Sequence, residues 1–240
     1  MSESYIANIL DFQRKVEEYV DQIFKYSSNE LILRLEQLNL LNNKNNCLES
    51  STALGFIIEE FLVSKLDEYT IRHNGVKDYR VQRPDKPITH ASYDCVSIIH
   101  DNIRALVNIK AYGNGRTNNG VAAIQQLYKD YVASLPLVKK CFLVLKVPYS
   151  FCSSIRSASK GERAISVGTA SSFFLESVDL SKEHQQDNRQ WSKKGGQRNS
   201  GRLLISDAFR KNHIVADDLM SYENTVSMLK AVCERNNINR

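Results

Sequence analysis

The spacing of apolar residues changes period about a third of the way along the chain, and that change restricts the fold more than any other feature. Over 4–26, Ile6, Ile9, Leu10, Phe12, Val16, Tyr19, Val20, Ile23 and Phe24 recur at helical spacing. Ser27 followed by Glu30 resembles a capping box and predicts a second helix to about Leu41, before the polar break LNNKNNC at 41–47. A third helix is predicted from Ser50–Ser51 to about Tyr69, on Leu54, Ile57, Ile58, Phe61, Leu62 and Leu66. After an irregular stretch at 71–92, the pattern becomes short and β-branched. Residues 93–99 and 103–111 predict two strands, and His100-Asp101-Asn102 between them is turn chemistry. This is a β-hairpin.

Beyond it lie a glycine- and asparagine-rich loop from Gly113 to Gly120 and a predicted helix of roughly 15 residues carrying Val121, Ile124, Leu127, Tyr128, Tyr131 and Val132. A buried strand at 138–147 is expected to end at Pro148, and a closing helix is expected over 215–235. The order helix, strand, strand, loop, helix, strand implies an α/β (α+β) core with mixed strand pairing. Residues 1–50 read as an N-terminal helical region able to supply a dimer face, and 51–240 as the core.

Bulk properties exclude several classes. The chain has 240 residues, enough for one large domain, and 42% are hydrophobic. No apolar run approaches the ~20 residues that cross a bilayer, so no membrane partner is expected. The start MSESYIANIL lacks a basic, signal-like character. The cysteines at 47, 95, 141, 152 and 233 are odd in number and form no CxxC pair. Reduced thiols in a cytoplasm are therefore expected. The histidines at 73, 90, 100, 184 and 213 show no metal-ligand spacing.

Charge is unevenly spread. Residues 1–70 carry 12 acids against 6 bases, a net of −6, whereas 182–211 carry 8 bases against 3 acids, a net of +5. A phosphate-bearing partner is drawn to the second region.

The hairpin concentrates the chemistry. Asp94 opens its first strand, and Asn108-Ile109-Lys110 lies near the end of its second. Alternation sets Asn108 and Lys110 on one face with Ile109 behind them. An acid, an amide oxygen and an ammonium then converge at a sheet edge. Mg²⁺ is commonly held by one or two carboxylates, with water and substrate phosphate completing its shell. A lysine beside it can orient the attacking water and offset phosphate charge. Glu59, on or next to the apolar face of the third helix, is a further acid near a core, and its neighbour Glu60 faces a more solvent-like side. A salt bridge explains Glu59 as readily as a metal does.

Gly55-Phe-Ile-Ile-Glu59-Glu, then Asp94, thirteen intervening residues, Asn108-x-Lys110, and a following helix and strand resemble the PD-(D/E)xK nuclease superfamily, especially type II restriction endonucleases. The resemblance covers about 51–147. It implies a restriction-endonuclease-like core, a mixed central sheet flanked by helices. It also implies Asp94 as metal-bridging aspartate, Asn108 as second ligand, Lys110 as catalytic lysine and Glu59 as helix acid. Mg²⁺-dependent hydrolysis leaving 5′-phosphate and 3′-hydroxyl ends follows from the same resemblance. The chain departs from the family at Tyr93, where proline is usual, and at Asn108, where an acid is usual. The literal Pro84-Asp85 lies in an irregular segment and ranks below Asp94.

Two segments are candidates for touching DNA. One comprises Arg116, Asn118 and Asn119 in the glycine loop, with Gln125, Gln126 and Lys129 on the next helix. The other is 184–202, where Arg189, Lys193, Lys194, Arg198 and Arg202 belong to the side-chain types that contact phosphates or base edges. A solubilising loop is the plain alternative. The expected function is site-specific double-stranded DNA cleavage by a homodimer. A structure-selective or repair nuclease, and a DNA-binding protein with a decayed site, are the rivals.

Overall fold

The computed structural model describes residues 2–25, 29–32, 51–73, 79–84, 91–99, 103–113, 120–135, 137–153, 163–178, 202–204 and 219–235. Helix α1 (Ser2–Lys25) precedes strand β1 (Glu30–Ile32), helix α2 (Ser51–Arg72) and the hairpin β2 (Cys95–Ile99) and β3 (Ile103–Gly113). Strand β4 (Gly120–Ala123), helix α3 (Ile124–Tyr128) and a π-helical turn (Lys129–Ala133) lead to β5 (Lys140–Ser153). Then come β6 (Arg163–Val167), β7 (Ser171–Phe174), β8 (Arg202–Leu204) and α4 (Tyr222–Arg235).

The main sheet is mixed. Its order is β1-β6-β5-β3-β2, with β7 also on β5, and β3–β5 is its parallel pair. Helices cover both faces, which is why Cys141 to Val147 of β5 is apolar at nearly every position rather than at alternate ones. On one face, Tyr5, Ile9, Phe12 and Val16 of α1 and Leu54, Ile58, Leu62 and Leu66 of α2 pack on Cys95, Val107, Ile109, Leu143 and Leu145. Each of those buried aliphatic side chains contributes roughly 1.5–3 kcal/mol. On the other face, Ile124, Leu127, Tyr131, Leu229 and Val232 pack on Val96, Leu106, Phe142 and Val144.

Helix α1 therefore turns its apolar stripe into the same core as α2. Its Tyr5 hydroxyl donates to the Lys140 carbonyl at 2.7 Å, tying it to the start of β5. No helix among the described residues is long and apolar enough to cross a membrane.

The expected α2, β2 and β3 match the structure closely, with β2 and β3 antiparallel from Cys95–Val107 to Ile99–Ile103. Four expectations need correction. The helix expected from Ser27 is replaced at Glu30–Ile32 by β1, which pairs antiparallel with β6. Asn29 adopts φ 59°, a conformation its short polar side chain tolerates, and its amide closes the end of α1 on the Phe24 carbonyl at 2.9 Å. Helix α3 starts at Ile124 rather than Val121, because 120–123 pair with β8, some eighty residues away in sequence. Strand β5 runs through Pro148 to Ser153. Pro148 accepts from the Gly168 amide, so its nitrogen faces that same side, in the gap between β7 and β6 where no ladder donor is required. The last helix begins at Tyr222, where the Ser221 hydroxyl accepts from the Asn224 amide at 3.2 Å and the Ser221 carbonyl from the Thr225 amide.

Candidate active site

The site forms where β2 stops covering the edge of β3. The ladder ends with the Asp94 amide donating to the Val107 carbonyl at 2.8 Å. Along that same edge of β3 the next amides are those of Ile109 and Ala111, about 7 Å apart. Backbone donors this close to a core require acceptors. Two carboxylates supply them. Asp94 Oδ2 accepts from the Ile109 amide at 2.7 Å, and Glu59 Oε1 accepts from the Ala111 amide at 3.0 Å. Asp94 immediately precedes β2 and Glu59 belongs to α2, which passes β3 closely enough that a Cβ on Gly55 would stand 3.5 Å from the Ala111 carbonyl oxygen.

Both acids are half-buried, and burial pushes both carboxyl groups above their ordinary range. The Lys110 ammonium opposes this most strongly in each case, followed by the amide each acid accepts from. The charge of Asp94 raises Glu59 further. Lys110 is thus the countercharge shared by two carboxylates that repel one another. In the parallel ladder Lys110 lies beside Lys146 of β5, whose ammonium sits 4.8 Å from the centre of the Tyr112 ring. A second cation therefore flanks this end of the sheet.

Asn108 is buried on the face opposite Ile109. Its Nδ2 donates to the Ser92 carbonyl at 2.8 Å, which fixes the amide so that Oδ1 is the end left as acceptor. That oxygen is buried and has no hydrogen-bond partner among the described residues. Ser92 is held from its other side by Asp130 of the π-helical turn, whose Oδ2 accepts from the Ser92 amide at 2.7 Å and from its hydroxyl at 2.8 Å. Asp130 Oδ1 accepts from Gln126 Nε2 at 2.9 Å.

The structure therefore gathers Asp94, Glu59 and Lys110 around one strand edge and fastens Asn108 just behind it. It also separates the two helix acids, since Glu60 makes an ion pair with Arg83 at 2.7 Å. Gln125 and Lys129 are exposed, and Gln126 is committed to Asp130. Arg202 opens β8, and nothing of its side chain is described. Arg116, Asn118, Asn119, Arg189, Lys193, Lys194 and Arg198 lie outside the described residues, as does Asp85.

Sequence reasoning missed Ser92, Asp130 and Arg83. Asp130 carried a usable signal, because it follows Leu127 by three and adjoins Tyr131 on an apolar helix face. Ser92 and Arg83 carried none, lying in a stretch without periodicity.

The donor set suits a hard cation. Among the described residues, Asp94 Oδ1 and Glu59 Oε2 accept no protein hydrogen bond, and Asn108 Oδ1 is a buried oxygen without a partner. An orphaned buried acceptor costs about 1–3 kcal/mol, which a ligand there offsets. No group of three or more His, Cys, Asp or Glu side chains able to hold a metal occurs among the described residues. A cation at this edge would rest on the two carboxylates, with water or phosphate completing its shell, and the Asn108 amide stands on the face of β3 opposite Ile109. No protein-family model matches the chain, and no curated protein matches it at a significant level.

Proposed function

We propose that this chain is a Mg²⁺-dependent, site-specific double-stranded DNA endonuclease of the type II restriction kind, with a PD-(D/E)xK-like core, acting as a cytoplasmic homodimer. The observation that carries the reading is the pairing of Asp94 and Glu59 with the Ile109 and Ala111 amides, around the shared countercharge of Lys110. The order of α2, hairpin, α3 and parallel β5 supports it as well.

Asp94 and Glu59 would hold the metal through their second oxygens, and the resemblance gives Asn108 Oδ1 as a further acceptor. A bound ion would supply electrostatic stabilisation of the phosphoryl group and a lowered pKa for its water. The chain's own residues prepare the rest. Backbone amides fix the direction of both carboxylates before substrate arrives, so little reorganisation remains. Lys110 opposes the effect of burial on both acids and places a positive charge where a scissile phosphate would lie. Exposed Gln125 and Lys129 stand on the helix that follows the glycine loop, available to the DNA beside that edge.

A two-fold dimer matches a palindromic duplex. A Mg²⁺-titrated digest of a sequenced plasmid tests the reading, with fragment ends read directly. Discrete bands with 5′-phosphate and 3′-hydroxyl termini are expected. Smearing or branch cutting would replace it with a structure-selective or repair nuclease. Retardation without cutting would make it a DNA-binding protein with a decayed site, the reading that the amide at 108 favours.

A further inference from the structure

We propose that Asp130 is a positioning residue for Asp94: through Ser92 it anchors the turn that aims the Asp94 carboxylate at the Ile109 amide. The inference rests on the reading above for its catalytic meaning, and on geometry alone for its structural part.

Asp94 lies just outside β2, so the β2–β3 ladder fixes its amide but nothing before it. The chain must instead be held at 91–93. The Tyr93 ring packs in the second core, and Ser92 is the hydrogen-bonded fastening point, with all three of its polar groups engaged. Its amide and hydroxyl both donate to Asp130 Oδ2, and its carbonyl accepts from Asn108 Nδ2. Gln126 then occupies the other oxygen of Asp130, so the carboxylate cannot rotate away without losing three hydrogen bonds. Asp130 is buried, and charged acceptors make stronger hydrogen bonds than neutral ones.

Asp130 also belongs to a π-helical turn, an irregularity that costs helix geometry and recurs at functional sites. Here the turn has a specific consequence. Ile124, Leu127 and Tyr131 pack on the sheet, and Asp130 sits beside Tyr131 facing the 91–93 turn. The same helical segment presents Gln125 and Lys129 to solvent. Contact with DNA on that outer face is thereby linked, through one buried carboxylate, to the aim of Asp94.

Amide hydrogen exchange tests this with an internal control. The Ile109 amide depends on Asp94, whereas the Ala111 amide two residues on depends on Glu59 from a different element. Asp130→Ala should speed exchange at Ile109 by more than tenfold and leave Ala111 within about twofold. Asp130→Asn keeps an acceptor for Ser92 and should restore most of the protection. Ser92→Ala, which removes the hydroxyl alone, should give a smaller effect of the same kind and serves if Asp130→Ala does not fold. In plasmid cleavage, Asp130→Ala should lower kcat with KM for DNA nearly unchanged, and Asp130→Asn should recover it.

Equal acceleration at Ile109 and Ala111 would make Asp130 an ordinary stability residue and overturn the proposal. So would unchanged exchange in a folded Asp130→Ala protein. A wild-type protein that does not cut removes the nuclease reading, while the exchange result still decides whether Asp130 positions Asp94.

Discussion

The Asp94 carboxylate accepts a hydrogen bond from the Ile109 amide at 2.7 Å, taking the place a strand carbonyl would hold if β2 continued. Glu59 does the same for Ala111, so the edge of β3 is completed by two acids from different elements. Their shared neighbour Lys110 decides how much charge the edge can bear.

Lys110→Ala should abolish cleavage, by at least 100-fold, while DNA binding stays within a few-fold of wild type. The positively charged side chain is the strongest influence lowering both acidic groups against burial. Its loss therefore raises both carboxyl groups further above their ordinary range and removes the positive charge beside them. Plasmid digestion and a gel-shift on the same protein check this. Unchanged cutting by a folded Lys110→Ala protein would sink the active-site assignment.

Asn108→Asp isolates the role of the amide. The side-chain donor to the Ser92 carbonyl is replaced by an oxygen, so an ionised aspartate sets like against like in a buried position. A cost of about 1–3 kcal/mol is expected at neutral pH. A protonated aspartate can still donate to Ser92, which raises the folded-state pKa of the new group. Its contribution is then fully present at pH below the unfolded carboxyl range and is lost as pH rises through the raised folded value. The variant should approach wild-type stability in acid and fall behind toward neutrality in denaturant titrations. Added Mg²⁺ should reduce that deficit if Asn108 is a ligand; a deficit unaffected by Mg²⁺ restricts its role to holding Ser92.

Local pattern was enough for the parts of this site that depend on neighbours in sequence. Helix α2, the hairpin and the facing of Asp94 and Lys110 follow from period and turn chemistry, because the packing that enforces them repeats every two or four residues. The parts that depend on distant pairing were not legible. Strand β4 exists because β8 pairs with it, β1 because β6 does, and β6 and β7 themselves were not anticipated in the unassigned 149–181 stretch. Likewise, the acid at 59 could be suspected from its place near an apolar stripe. Its partner, a backbone amide of another element, could not. Ser92 shows the limit most clearly, since its importance comes wholly from Asp130 and Asn108, 38 and 16 residues away.

Glu176 gives the chain a pH-dependent stability independent of the candidate site. It is fully buried at the opposite end of β5, accepting from the Tyr131 hydroxyl at 2.6 Å and the Phe142 amide at 3.1 Å. Burial nevertheless pushes its carboxyl up to about 7. Because the folded value is raised, its contribution is fully present below pH 4.5 and is lost as pH rises toward about 7. The loss across that window is roughly 3 kcal/mol. Glu176→Gln should flatten this part of the stability curve, measured by denaturant unfolding from pH 4.5 to 8. Parallel curves for the two proteins would show that Glu176 does not titrate in this range.

The basic segment 182–211 lies almost wholly outside the described residues, so its predictions rest on charge alone. With a net of +5 from 8 bases and 3 acids, about five neutralised phosphates would give log affinity a slope of roughly −4 to −5 against log salt. Replacing Lys193 and Lys194 with alanine should make that slope shallower by about 2 if both contact phosphate. Arg189 and Arg198 can each donate two bonds to guanine O6 and N7 from one planar guanidinium. Their replacement should therefore cost ~1–3 kcal/mol on the cognate duplex and little on random duplex. Fluorescence-anisotropy titrations of both duplexes across a salt series measure the two effects separately. Equal losses on the two duplexes would make these arginines backbone clamps, and would turn the reading toward a nuclease without sequence preference.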